Sequence, residues 1–263
     1  MTTNADVDHE VVLQVTGLSK SFGGVDALKD VALALHRGEV RGVIGPNGAG
    51  KTSLVNVISG RARPSSGSIR LGGREVGGLA AYRLNRLGLA RSYQQANIFA
   101  AETVRENLVR ARAFAGRGAV DAGALIRTAD LGSSMTTRAG ALPYGQQKLL
   151  GLIMTLSTGP SVVLMDEPAA GLAPSERSRI DDLVRQSTER GCAVVIVEHD
   201  MDLIRRLCPE VLVLDSGTVI ATGATDEVLS RPDVLAAYLG STSSDDVDED
   251  DDQNDNQKGD RDG

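Results

Sequence analysis

An α/β fold built on a mostly parallel core sheet is what the sequence predicts, on three observations. Val162–Met165 and Val194–Val197 are unbroken apolar runs that lead into polar or acidic residues, the pattern of central strands covered on both faces. Helical patterns alternate with such runs, which implies right-handed crossovers and a ligand edge at the carboxyl ends of the strands. The strand-like stretch Glu39–Ile44 also runs straight into a glycine-rich loop that is followed by a helical pattern. At 263 residues the chain can bury a sizeable core in one large domain, or in a domain with a subdomain.

Taken in order, Val11–Val15 and Asp30–Leu35 read as short strands, and Ser68–Leu71 as another. Leu54, Val55, Val57 and Ile58 share one face of a helix expected over Thr52–Ser59. Arg63–Gly67 then breaks the chain with turn chemistry. Between about Tyr82 and Leu142 strand-like runs disappear and helical patterns take over, as in Val104–Phe114 and Ala122–Leu131, which predicts a helical insertion. A further helix is expected from about Pro174, with proline near its first turn and Gly191 beyond its end.

Charge is unevenly spread. The chain carries a net −7, but Ser241–Gly263 alone holds ten acidic and two basic side chains, so residues 1–240 are close to neutral at +1. With Val247 as its one apolar residue, the stretch 241–263 is expected to be a disordered acidic tail, as is a short flexible segment at residues 1–10. No stretch approaches the roughly 20 apolar residues that cross a bilayer, and the first ten residues lack the basic start and apolar centre of a signal peptide. A cytosolic chain is expected, reaching a membrane only by docking onto a partner. Cys192 and Cys208 neither frame a disulfide scaffold nor space as metal ligands, so buried reduced thiols are expected.

The chemistry begins at Gly45-Pro46-Asn47-Gly48-Ala49-Gly50-Lys51-Thr52. A nucleoside triphosphate brings up to four negative charges whose oxygens need many short-range donors. Glycines at 45, 48 and 50 let the backbone curl with its N–H groups pointing inward, and the following helix adds its unpaired N–H groups and dipole. Lys51 supplies a cation for the β- and γ-phosphates, and the Thr52 hydroxyl suits Mg²⁺. Asp166 and Glu167 follow the apolar run Val162–Met165; alone such a pair is usually a solvated strand end. Behind a phosphate loop, Asp166 becomes the residue to hold Mg²⁺ through water, and Glu167 is free to orient and deprotonate a water for in-line attack. His199 alone would be structural, but strand topology brings it to the same sheet edge as Asp166. A neutral amide at Gln94 could hold Mg²⁺ or the attacking water and report whether the γ-phosphate is there.

These residues, in this order, resemble the ATP-binding cassette family, the motor subunits of ABC transporters. The match runs from about Val11 to Gly240 and takes in Phe22, the phosphate loop, Gln94, a signature-like segment, Asp166-Glu167-Pro168 and His199. The resemblance implies a P-loop NTPase with an N-terminal antiparallel β portion and a helical subdomain inserted at about 82–142 within an ATPase domain spanning 11–240. It also implies that Phe22 stacks on adenine, that Ser53 joins the phosphate loop in binding ATP, that Gln94 contacts the transmembrane partner, and that Tyr144, Gly145 and Gln146 close on ATP held by an opposing subunit. Leu142–Lys148, Glu167–Leu172, Val197–Met201 and Pro232–Gly240 look like the cassettes of high-affinity branched-chain amino-acid importers, with similar cassettes serving urea or short-chain amides. The implied partners are transmembrane permease subunits, a second cassette and, indirectly, an extracytoplasmic substrate-binding protein, at the cytoplasmic face of the plasma membrane.

Two positions depart from the family pattern. Where the signature usually reads Leu-Ser-Gly-Gly-Gln, the serine place is Pro143, which has neither hydroxyl nor N–H to donate; losing a donor to a charged acceptor costs about 1.5–3 kcal/mol. Ala173 stands where the family often has aspartate. Both changes predict weaker dimer closure or slower turnover, and they make a non-catalytic, nucleotide-sensing half of a heterodimer a competing reading. A soluble cassette protein acting on nucleic acid is disfavoured by the near-neutral charge of residues 1–240 and the lack of a basic stripe.

Overall fold

The computed structural model describes residues 10–92, 97–114 and 120–241. Two strands open the chain, β1 (Val11–Phe22) and β2 (Val25–His36), joined by a tight turn at Gly23-Gly24. β3 (Val40–Ile44) follows, then α1 (Lys51–Ile58), β4 (Ser66–Leu71) and the two-residue β5 (Arg74–Glu75). β1, β2, β4 and β5 form an antiparallel sheet in the order β2-β1-β4-β5. β1 and β2 are far longer than their apolar cores suggested. Ser19–Ser21 are polar and Val25–Lys29 mixes polar with apolar residues, yet both pair because this sheet leaves one face to water and needs apolar residues only on the other. Register shifts near Val15 and Leu18, beside Gly17 at φ +61°, let the long β1 bend without losing its partner.

Next come α2 (Ala81–Arg86), β6 (Leu89–Ser92), α3 (Val104–Phe114), α4 (Gly123–Thr128) and α5 (Tyr144–Ser157). β6 corrects the expectation that strands vanish after Tyr82. Its sequence, Leu-Ala-Arg-Ser, carries no β-branched residue, and it is a strand because it pairs in parallel with its neighbour from Leu89↔Val162 to Ser92↔Met165. The helical character read from the sequence applies to the residues after it, where α3 has the bounds expected and α4 falls within Ala122–Leu131. The chain then alternates β7 (Val162–Asp166), α6 (Pro174–Glu189), β8 (Ala193–Val197), α7 (Met201–Leu207) and β9 (Glu210–Asp215), and ends with β10 (Thr218–Ala224), α8 (Thr225–Leu229) and α9 (Pro232–Ser241).

The core sheet has the order β10-β9-β3-β8-β7-β6 and is parallel throughout except for β10, which runs antiparallel along β9. Alternate residues of its strands feed two separate cores. Val163, Met165, Val194, Ile196, Val211 and Val213 pack among α3–α7, while Val162, Leu164, Val195, Val197 and Leu212 pack against α1 and the antiparallel sheet. Burial on both faces is why these strands read as unbroken apolar runs. Cys192 and Cys208 are buried and free, and burial pushes each thiol up to about 12. Of the expected terminal segments, 1–10 and 241–263, residues 1–9 and 242–263 lie outside the described residues, as does Gln94, and Ser241 is the last residue of α9.

Leu164 is wholly enclosed in the second of these cores. Leu164→Ala is expected to lower unfolding free energy by about 2–5 kcal/mol, read as a fall in the urea midpoint at unchanged slope.

Candidate nucleotide-binding site

Parallel pairing brings four strand ends to one edge. Val43 of β3 faces Val197 of β8, and Asp166 of β7 faces the same Val197 from the other side, with Ser92 of β6 opposite Met165. The loop Gly45–Gly50, the pair Asp166-Glu167, and Glu198-His199 therefore leave the sheet together.

The loop is held by its own backbone and by neighbours. An added Cβ at Gly45 would sit 2.1 Å from the Leu214 carbonyl oxygen, and one at Gly50 would sit 2.6 Å from that of Ala27, with φ at +104°. Gly50 is the N-cap of α1, so a left-handed residue pressed against β2 sets the direction in which that helix leaves. The Lys51 ammonium folds over the loop and donates to the carbonyls of Gly45 at 2.6 Å and Pro46 at 2.8 Å. Burial pushes Lys51 below the ordinary lysine value, against the pull of Glu167 and Asp166 in the opposite direction. Asn47 and Gly48 are exposed at the loop's tip, Ala49 is buried beneath it, and the Thr52 side chain is exposed. Phe22, half exposed at the end of β1, carries the Lys20 ammonium 4.5 Å from its ring centroid.

Asp166 accepts from Arg91 at 2.8 Å through Oδ2. Glu167 has φ +47°, a left-handed conformation that a non-glycine residue keeps only where neighbours hold it, and its N–H donates to Val197. His199 Nδ1 lies 3.9 Å from Glu167 Oε1 and 3.8 Å from Glu198 Oε2, with the imidazole largely exposed. Asp200 fixes the segment after it: its Oδ1 caps α7 by accepting from Asp202 and Leu203, and its Oδ2 pairs with Arg177 at 2.8 Å.

Tyr144, Gly145 and Gln146 open α5, whose N-cap is Pro143 with no side-chain cap. Tyr144 is exposed and lies beside Gly171. Gly145 is pressed against α6, where an added Cβ would meet Glu176 Oε1 at 1.9 Å. Ala173 caps α6 without a hydroxyl or carboxylate of its own, and the Glu176 carboxylate instead accepts the Ala173 N–H at 3.0 Å. The structure thus gathers the phosphate loop, Asp166, Glu167 and His199 at one edge and seats Tyr144 and Gly145 on the α6 side.

Four residues that sequence reasoning did not single out belong to this edge. Arg91 and Lys148 hold Asp166 and the Glu167 carbonyl, and Glu198 accepts from Ala169 at 3.0 Å. Tyr238 of α9 reaches the loop, its phenol raised by burial against a hydrogen bond with the Gly45 backbone. Glu198 had a legible signal, an acid directly after a buried strand; Arg91 and Lys148 did not, because nothing near either in the sequence points to its distant partner.

A strand feeding a glycine-rich loop and helix N-terminus, with an acidic pair at the neighbouring strand end, defines a nucleotide-triphosphate-binding α/β protein. Residues 28–170 match the family model described as ABC transporter. The chain is 34% identical over 249 residues to the high-affinity branched-chain amino acid transport ATP-binding protein BraF of Pseudomonas aeruginosa, covering 87% of this chain and 98% of that one. It is 37% identical over 226 residues to the methionine import ATP-binding protein MetN of Caulobacter vibrioides, covering 82% and 68%. The crystal structure of an ATP-binding cassette of an ABC transporter in its ADP conformation superposes with a TM-score of 0.79 at 28% identity, over 88% of this chain and 99% of that one. The chain belongs to the ABC transporter family, as an ATP-binding and ATP-hydrolysing cassette.

Gly50→Ala forces a Cβ into both a left-handed backbone and the Ala27 carbonyl. ADP affinity, measured by fluorescence titration, is expected to fall tenfold or more, in line with strain of about 1–3 kcal/mol.

Proposed function

We propose that this chain is the motor subunit of an importer that takes branched-chain amino acids across the plasma membrane, binding permease subunits from the cytoplasmic side. The observation that carries this reading is the likeness to BraF over nearly the full length of both chains. Among the described residues no helix is long and apolar enough to cross a membrane, so a membrane path would have to come from partner subunits. Two cassettes, identical or related, would each offer the loop of one and the Tyr144–Gln146 segment of the other to one ATP.

In this reading Gly45–Ser53 grips the phosphates, with Lys51 turning from the carbonyls of Gly45 and Pro46 to the phosphate oxygens. Phe22 offers its free ring face to adenine. Glu167 orients and deprotonates the attacking water, and His199, within 4 Å of that carboxylate, steadies it and the γ-phosphate. Gln94 would join them from the segment after β6. The donor set suits Mg²⁺: the Thr52 hydroxyl and the Asp166 carboxylate are hard oxygens, and among the described residues no cluster of three His, Cys, Asp or Glu forms a rival metal site. When bound, Mg²⁺ would neutralise charge on the phosphates.

Pro143 favours a second reading, a catalytically weak cassette paired with an active relative. Glu167→Gln separates the two. In the motor reading it lowers ATP turnover by a hundredfold or more while ATP binding remains; equal turnover in the wild type and the variant sinks it.

The cargo is tested by uptake. Cells lacking this chain are expected to lose most accumulation of labelled leucine and to keep that of methionine and urea; loss of methionine uptake alone would reassign the cargo.

A further inference from the structure

A cleft of about 450 Å³ opens beside β6, lined by residues of α2, α3 and α5. Three cations line it, Arg86, Arg91 and Lys148, and the last two, from β6 and α5, reach out of it to the end of β7. Arg91 donates one guanidinium nitrogen to Asp166 Oδ2 at 2.8 Å and the other to Asn56 Oδ1 at 2.7 Å and Ser59 Oγ at 3.2 Å, so it joins the acid to α1. Lys148 donates to the Glu167 carbonyl at 3.2 Å and to the Ala170 carbonyl at 2.8 Å. The Arg91 side chain is 6% exposed and Lys148 is likewise 6% exposed, so little of either meets solvent.

From the other side of the turn comes Glu198, 2% exposed, which accepts the Ala169 N–H. Residues 167–170 therefore lie between a buried ammonium and a buried carboxylate, whose charges attract each other across the turn. Glu167 keeps its left-handed backbone within that grip. Taking two cations out of water is costly unless each meets well-placed acceptors, and apolar residues of similar volume often hold a fold equally well.

We propose that Arg91 and Lys148 are positioning residues for ATP hydrolysis: Arg91 fixes the carboxylate of Asp166, and Lys148 fixes the backbone from which the Glu167 side chain projects. The proposal rests on the reading of Asp166 and Glu167 as the metal-holding and water-orienting pair. Lys148 donates to the 167–170 turn and not to the phosphate loop, so nucleotide binding and turnover separate when it is replaced. The same two side chains form part of the cleft wall, so a group that enters the cleft meets the supports of both acids.

The test uses the full-length chain and Lys148→Met, which keeps the side-chain volume and removes the charge and donors. Expected are a kcat for ATP at least tenfold lower, with KM and the ADP dissociation constant within twofold of wild type. A wild-type kcat, or a raised KM at unchanged kcat, overturns the assignment of Lys148. Should the methionine variant melt far below wild type, Lys148→Gln, which keeps a polar donor, is judged by the same criteria. Arg91→Lys keeps the charge but cannot span Asp166 and Asn56 together; it is expected to raise the Mg²⁺ concentration for half-maximal turnover at least threefold while ADP affinity without Mg²⁺ stays within twofold. An unchanged Mg²⁺ requirement overturns the assignment of Arg91. Full turnover by Glu167→Gln would remove the underlying reading of Glu167 instead, an outcome independent of how the Lys148 variants behave.

Discussion

Everything at the ligand edge depends on the in-register parallel pairing of β3, β8 and β7. Val197 is the common reference: Val43 faces it on one side and Asp166 on the other. A slip of one residue in either pairing would turn alternate side chains from one core to the other and carry Asp166 away from the level of the loop. The two cores make such a slip prohibitive, because each strand residue between Val162 and Met165 is committed to one face or the other. The position of the chemistry is thus set by apolar side chains that never touch a ligand.

Around that edge the dominant problem is charge. Asp166, Glu167, Glu198 and Asp200 leave the sheet at the same edge as the loop, and three of them meet a buried or half-buried cation. Arg91 meets Asp166, Arg177 meets Asp200, and Lys148 and Glu198 pull on each other. Lys51, drawn down by burial and back up by Glu167 and Asp166, sits at the centre of the remaining field. The arrangement leaves Glu167 and His199 as the polar groups most open to what binds there, with Thr52 across the loop.

Much of this was legible in the residues themselves. Apolar runs betrayed the buried strands, and the glycines, Lys51 and Thr52 betrayed the loop, because both depend on short sequence windows. β6 was not legible, since its four residues are a strand only by virtue of β7 beside them. The full lengths of β1 and β2 were missed for a related reason: a strand with one wet face tolerates polar residues that read as loop. Arg91 and Lys148 escaped because their importance lies in partners 75 and about 20 residues away, which no local pattern records.

The contact between Gly145 and Glu176 ties two distant choices of residue together. Glu176 reaches back to accept the Ala173 N–H, the half of a capping box that alanine at 173 still allows, and its carboxylate occupies the space that any larger residue at 145 would need. Positions 145, 173 and 176 are therefore coupled: without Glu176 the Ala173 N–H loses its side-chain acceptor, and a side chain at 145 would displace the carboxylate that supplies it. Substitution at any one of them is a question put to all three.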